Sequence, residues 1–152
     1  MLRTRLNDAL KESLRAKEER KVGTIRLILA ALKLKDIEAR PAGNAGGIGE
    51  PEILQMMNGM IKQRRESIEM YEKGNRPELA KQEAEEIEII QSFMPRQMDE
   101  AEVAAAVKEA IGQAGAASVK DMGKVMAALK EKYTGKMDFS KVSGVVKQQL
   151  GA

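Results

Sequence analysis

The sequence contains no cysteine and no histidine, and this double absence excludes many kinds of enzyme. Nucleophilic catalysis by Cys or by a Ser–His pair, zinc sites of the usual kind, disulfides and a near-neutral histidine base all need one of these residues. A GxxxxGK[ST] phosphate loop is also missing, and the glycine-rich stretch GNAGGIG follows a predicted helix rather than a strand. We therefore predict no catalytic residue, no cofactor and no metal site.

Long apolar runs and aromatic side chains are scarce as well. The longest apolar run extends over the six residues from Leu27 to Leu32, whereas a membrane helix needs roughly 20. Aromatic residues make up 3% of the chain, too few for a sheet that stacks RNA bases. The basic N-terminal segment carries Asp8 and Glu12, which argue against a transit peptide. We expect no membrane span and a cytoplasmic protein.

The residues that are abundant favour helices. Ala, Leu, Lys, Glu and Met have high helix propensity, and leucine recurs every four residues at the N-terminus, the spacing of one helical face. Pro41 and Pro95 interrupt the helical pattern, and after Pro95 three shorter segments follow. We predict an all-α fold, with a four-helix bundle-like subdomain over 1–94, a flexible loop over 41–49 and a small three-helix subdomain over 95–152.

The lysines of the C-terminal part are unevenly placed. Residues 95–152 contain nine Lys or Arg against seven Asp or Glu, and seven of the nine lie at or after Lys120. Lys120 and Lys124 are four residues apart, opposite an apolar stripe and beside the small Gly123, so a phosphate backbone could approach them. Lys130 and Lys136 follow along the chain, and we predict an RNA-binding surface from these four lysines. The alternative is an ordinary solvated helix face.

Arg64 lies within the apolar stripe of the third predicted helix, three residues after Ile61 and four before Ile68. Charges near a core are normally paired. We therefore predict a structural ion pair between Arg64 and a carboxylate of the next helix, with Glu83 and Glu86 as the candidates.

Two further clusters have structural interpretations. Met56, Met57 and Met60 would suit an adaptable groove for a partner helix, but core packing is the more frequent use of methionine at helical spacing. The glutamates of the fourth predicted helix would suit a di-metal centre only with histidines, so we interpret them as a solvated acidic face.

The chain resembles the GatB/YqeY family over essentially its whole length. The segments that carry this resemblance are RLILAALKLKDIEAR, IKQRRESIEMYEKGNRPELAKQEAEEIEII, SFMPRQM and SVKDMGKVMAALKEKYTGK. The resemblance implies a free-standing relative of the C-terminal tail of the B subunit of the tRNA-dependent amidotransferase that makes Gln-tRNA or Asn-tRNA. In that enzyme the amidation chemistry belongs to other domains, and the tail helps to hold tRNA.

Three functional hypotheses remain open. The first is a non-catalytic accessory protein that binds tRNA, and the second is an interaction module that docks on an amidotransferase or an aminoacyl-tRNA synthetase. The third is a carbon–nitrogen ligase with glutamine as amido donor. Composition speaks against the third hypothesis, and an amidotransferase label would come from family relationship alone.

Overall fold

The computed structural model describes residues 1–151, which form seven α-helices and two short 3₁₀ helices and contain no β-strand. The prediction of an all-α fold is confirmed. The seven helices are α1 (Leu2–Ala16), α2 (Glu19–Ala39), α3 (Glu50–Lys73), α4 (Pro77–Gln91), α5 (Glu100–Ala114), α6 (Met122–Tyr133) and α7 (Phe139–Gln149). The 3₁₀ helices cover Arg40–Ala42 and Val119–Asp121.

Contacts within the chain divide it into two compact units, Met1–Met94 and Pro95–Ala152. In the first unit, α3 packs along α4, while α2 contacts α1, α3 and α4. These four helices share one hydrophobic core, because each presents apolar residues at helical spacing to the others. Its most deeply buried large side chains are Leu6, Ile25, Ile28, Ile53, Met57 and Ile90.

The second unit has a separate core in which α5, α6 and α7 each contact the other two. Its most deeply buried side chains are Val107, Val125, Leu129 and Val146. The segment before α5 is held to the turn after α6, since the amide of Met98 donates to the carbonyl of Lys136 (2.8 Å) and Gln97 Nε2 donates to the carbonyl of Gly135 (2.6 Å).

The helix starts of the second unit depend on acidic side chains. The spacing of Asp99 and Glu102 in the sequence predicts a capping box, and the structure contains it. Asp138, which the sequence predicts as the cap of the last helix, accepts the amide of Ser140 at the start of α7. The spacing of Ser118 and Asp121 in the sequence also predicts a capping box, and only half of it is formed. The Asp121 carboxylate accepts from the amides of Ala117 (3.0 Å) and Ser118, whereas the Ser118 side chain forms no capping hydrogen bond and the segment begins with a 3₁₀ turn.

The predicted loop 41–49 is held at its C-terminal end by side chains from two helices. Asp36 Oδ1 accepts the amide of Ile48 (2.9 Å), and Arg3 Nη2 donates to the carbonyl of Ile48 (2.8 Å). Arg3 and Asp36 also pair with each other through two contacts of 2.7 Å. Gly47 is required beside them, because its φ is +88° and a Cβ there would collide with the Asp36 carboxylate. The glycine-rich sequence does not indicate this restraint.

Candidate nucleic-acid interface

The helix α6 presents one apolar face to the core and one polar face to solvent. Val125 and Leu129 are completely buried, whereas Lys124 is exposed on the side of the helix that faces away from them. Lys120 lies just before α6, in the 3₁₀ turn Val119–Asp121, and is exposed as well. The local fold therefore brings Lys120 and Lys124 to neighbouring turns of the solvent side.

Few charges of the second unit are neutralised by a neighbour. In the described part of this unit, the ion pairs are Arg96 with Glu102 (2.6 Å) and Lys132 with Glu109 (3.8 Å). Seven lysines have no such partner among the described residues, and they are Lys108, Lys120, Lys124, Lys130, Lys136, Lys141 and Lys147. Five carboxylates of this unit also lack an ion pair within residues 1–151, so nine basic against seven acidic residues leave a net charge of +2.

The carboxylate nearest in sequence to the lysine pair is already engaged by the backbone. The amides of Ala117 and Ser118 lower the pKa of Asp121, and the charge of Lys124 lowers it further. Asp121 thus stays ionised while it stabilises its own turn. Gly123 leaves open space, since a Cβ built at this position meets no atom within 4 Å. The backbone at Gly123 is therefore open to solvent.

The other two predicted lysines lie elsewhere on the second unit. Lys130 is six residues after Lys124, which places it about 120° away around the helix axis. Lys136 follows the end of α6 and lines an open cleft of about 650 Å³. Glu131 is seven residues after Lys124 and shares its face. The compact part of the predicted surface is therefore the pair Lys120 and Lys124.

The cleft beside Lys136 combines residues from two distant stretches of sequence. It is lined by Pro95, Arg96, Met98, Glu102, Ala105, Ala106, Glu109, Tyr133 and Lys136. Its acidic groups already have partners, since Arg96 lowers the pKa of Glu102 and Glu109 pairs with Lys132. Sequence reasoning missed this cleft because no local pattern joins residues 95–109 to residues 133–136.

The cluster around Arg64 lies between α3 and α4 in the first unit. Arg64 Nε is 3.0 Å from Glu86 Oε2 and 3.9 Å from Glu83 Oε2, and its Nη1 donates to the carbonyl of Met60 (3.2 Å). Burial raises the pKa of Glu83, the charge of Glu86 raises it further, and Arg64 opposes both effects. The interpretation of these glutamates as a solvated face is wrong for Glu86, which is buried. The cluster is structural, because the buried Glu86 and a carbonyl of its own helix accept the hydrogen bonds of Arg64.

The described residues contain neither a cluster of metal-ligating side chains nor a membrane-spanning helix. Within residues 1–151, no three His, Cys, Asp or Glu side chains come together in a way that would hold a metal ion. None of the helices described here is long and apolar enough to cross a membrane.

The chain is similar to one protein family and to curated proteins that share one name. Residues 3–150 match the family described as Yqey-like protein. Over 89 residues, or 59% of this chain, the sequence is 34% identical to "Altered inheritance of mitochondria protein 41, mitochondrial" from Vanderwaltozyma polyspora. Proteins of the same name from Lachancea thermotolerans and Eremothecium gossypii are 34% and 33% identical over the same share. The match covers 46% of each relative, so the chain spans about half the length of these curated proteins.

Proposed function

Because the chain belongs to the YqeY-like family, we propose that it is a non-catalytic accessory protein that binds tRNA. The resemblance to the tRNA-holding tail of the amidotransferase B subunit suggests the ligand. The observation that carries the proposal is the exposed pair of Lys120 and Lys124, which has no ion-pair partner among the described residues and adjoins open space at Gly123.

Such a surface recognises phosphates rather than bases. Ammonium groups neutralise backbone charge and release counterions, and this contribution to binding does not depend on sequence. Structured RNA is commonly recognised through its shape and its phosphates. The proposal therefore implies modest, salt-sensitive binding, and the identity of the tRNA would be selected by another protein.

A salt titration of tRNA binding tests the proposal. With about two phosphate contacts, one for each lysine of the pair, the logarithm of the binding constant should fall with the logarithm of salt concentration at a slope of roughly 2 in magnitude. The double variant Lys120→Glu/Lys124→Glu should bind more weakly at low salt and should show a shallower slope. The matched control is Lys141→Glu/Lys147→Glu, which makes the same charge change on α7.

The possible outcomes distinguish a wrongly located binding site from a wrong function. Equal weakening by the test and control variants would mean that net charge, rather than the pair before and within α6, controls binding. Unchanged binding by the test variant would show that the site lies elsewhere, and the basic residues 1–40 are the next candidate. No binding of total tRNA by the wild type at low salt would overturn the proposed function.

The non-catalytic part of the proposal has its own test. The sequence has neither Cys nor His, and the second unit's open cleft has partnered acidic groups. We expect the purified protein to release no ammonia from glutamine and to amidate neither Glu-tRNA nor Asp-tRNA. Ammonia release that scales with protein and survives repurification would establish a carbon–nitrogen ligase instead.

We also propose a cytoplasmic location, although the curated relatives carry the word mitochondrial in their names. Leu2 and Leu6 of α1 are buried in the core of the first unit, so this helix is part of the fold. Fractionation of the source cells checks the compartment, and enrichment in an organelle would contradict it.

A further inference from the structure

The helix α2 is apolar on two sides, and its neighbours cover only one of them. Ile25, Ile28 and other side chains of the inner side are buried in the core of the first unit. On the outer side, Leu27, Leu34 and Ile37 remain 49%, 57% and 44% exposed. Single exposed aliphatic side chains are common, whereas three on the same side of one helix are what a docking surface for a partner would present.

The spacing of the outer side is that of a helix-pairing seam. Gly23, Leu27, Ala30, Leu34 and Ile37 follow one another at alternating intervals of four and three residues, the repeat that keeps one stripe facing a partner helix. We call these five residues the outer stripe. It extends for about 21 Å along α2 at 1.5 Å per residue, which is enough for a four-turn partner.

A row of cations flanks the outer stripe. Arg26, Lys33 and Arg40 are seven residues apart on the same edge, and all three are exposed. None of them forms an ion pair among residues 1–151. The ion pairs of α2 in that range use Arg20, Lys21, Lys35, Asp36 and Glu38. The edge therefore presents three cations without an ion pair at the positions that select a partner helix by charge. Two carboxylates lie near its ends: Arg40 lowers the pKa of Asp36 through its charge, and the exposed Glu19 is seven residues before Arg26.

The other edge of the outer stripe leads into a cleft of mixed lining, in which Lys35, Glu52 and two glutamines accompany apolar side chains. Ala31 lies four residues after Leu27 and three before Leu34, and it lines an open cleft of about 570 Å³ between α2 and α3. Met56 and Met60 of α3 line the same cleft and are only partly buried. Methionine adapts its shape to irregular partners. A helix lying on the outer stripe would thus meet this cleft on one side and positive charge on the other.

We propose that the outer stripe of α2 binds an amphipathic helix of another protein whose flanking residues are acidic. This inference does not rest on tRNA binding, because it concerns a different unit of the chain. The occupant is inferred from charge complementarity: glutamates on the partner helix would neutralise Arg26, Lys33 and Arg40 together.

A second copy of this chain fits the surface less well. Antiparallel pairing of two α2 helices would place the cationic edges against each other, which is repulsive. Parallel pairing would match Lys33 with Glu38 of the second copy but would set Arg26 against an uncharged Ala31. Neither arrangement neutralises all three cations, whereas an acidic helix does.

Binding to two synthetic helices tests the proposal. The first probe is a peptide of three heptads with Leu at the seam positions and Glu at all flanking positions, so that its orientation does not matter. The second probe replaces each flanking Glu with Lys. We expect the full-length protein to bind the Glu peptide at least tenfold more tightly than the Lys peptide, with the preference decreasing at high salt.

Two variants locate the binding. Leu27→Ser/Leu34→Ser should weaken binding of the Glu peptide at least tenfold, whereas Met70→Ser, which changes an exposed methionine of α3 away from the outer stripe, should leave it unchanged. Arg26→Glu/Lys33→Glu should reverse the preference in favour of the Lys peptide. All five positions are exposed, so circular dichroism should show an intact fold in each variant.

Three results would overturn the proposal: no binding of either peptide, binding that the leucine variant leaves unchanged, or an unaltered preference in the charge-reversal variant. Concentration-dependent dimerisation that Leu27→Ser/Leu34→Ser abolishes would assign the outer stripe to a second copy instead. If all these variants still bind tRNA, the proposed function is independent of helix binding and stands even if this proposal fails.

Discussion

Arg64 donates from Nε to Glu86 across the interface of α3 and α4 at 3.0 Å, and the two side chains are only 12% and 11% exposed. Both groups have lost most of their hydration, and electrostatic attraction alone does not compensate for that loss. The hydrogen bonds between them are therefore as important as the attraction between their charges. The carbonyl of Met60 accepts a hydrogen bond from Arg64 Nη1, and this bond fixes the orientation of the guanidinium. Loss of one partner would leave the other charged and unsolvated.

The first prediction concerns Arg64 itself. Arg64→Ala should lower the free energy of unfolding by roughly 3 kcal/mol or more, because it leaves a buried carboxylate without its partner. The matched control is Arg65→Ala, since Arg65 is the exposed next residue of the same helix and should contribute less than about 0.5 kcal/mol. Urea unfolding measures both. A loss below about 1 kcal/mol for Arg64→Ala would place this side chain among ordinary surface charges.

Replacing each of the two glutamates of this cluster by glutamine should change the free energy of unfolding differently. Glu86→Gln weakens the hydrogen-bonded ion pair and should cost about 2 kcal/mol. Glu83 has a raised pKa, from burial first and the Glu86 charge second, so its ionisation opposes folding as the pH rises above its unfolded value. Glu83→Gln should therefore leave stability at pH 7 unchanged or slightly higher. A loss equal to that of Glu86→Gln would show that Glu83 is an essential partner of Arg64.

The restraint on the segment before α3 should depend on pH. Hydrogen bonds from Arg3 lower the pKa of Asp36 to about 2, and the amide of Ile48 contributes. Because the folded pKa lies below the ordinary value of about 3.9, the stabilisation is complete above that value and is lost as the pH falls through about 2. Asp36→Asn should reduce protection of the Ile48 amide against hydrogen exchange about tenfold at pH 7. Glu38→Gln, on the solvent side of α2, is the matched control, and equal protection in both variants would contradict the role of Asp36.

Limited proteolysis tests whether the two units fold separately. Trypsin should cleave after the exposed Arg96, and the products 1–96 and 97–152 should each retain helical circular dichroism. A protease of broad specificity should cut first within 43–46, the exposed part of the glycine-rich segment that lies before the Ile48 restraint. Arg96→Gln should abolish the tryptic cut. Unfolding of both fragments after cleavage would show that the units depend on each other.

The local features of this protein are determined by its sequence. Helical periodicity, prolines and acidic caps act over a few residues, so the ends of α2 and α3 and the capping box at Asp99 were predictable from the sequence alone. Residue spacing also places Arg64 on the apolar face of its helix. A charge on that face needs a partner, so the sequence indicated a carboxylate. The RNA-binding role of Lys120 and Lys124 stays a prediction, since spacing shows where a charge lies and not what it binds.

Other features were decided only by tertiary structure, because they join residues far apart in the chain. Arg3 meets Asp36 across 33 positions and Ile48 across 45, so no local pattern reveals that these side chains restrain a glycine-rich segment. The outer stripe of α2 is a similar case. Both sides of this helix are apolar, and only the positions of its neighbouring helices in the first unit determine that Ile28 is buried while Leu34 faces solvent. Periodicity defines the faces of a helix, and the packing of the whole unit decides which face is covered.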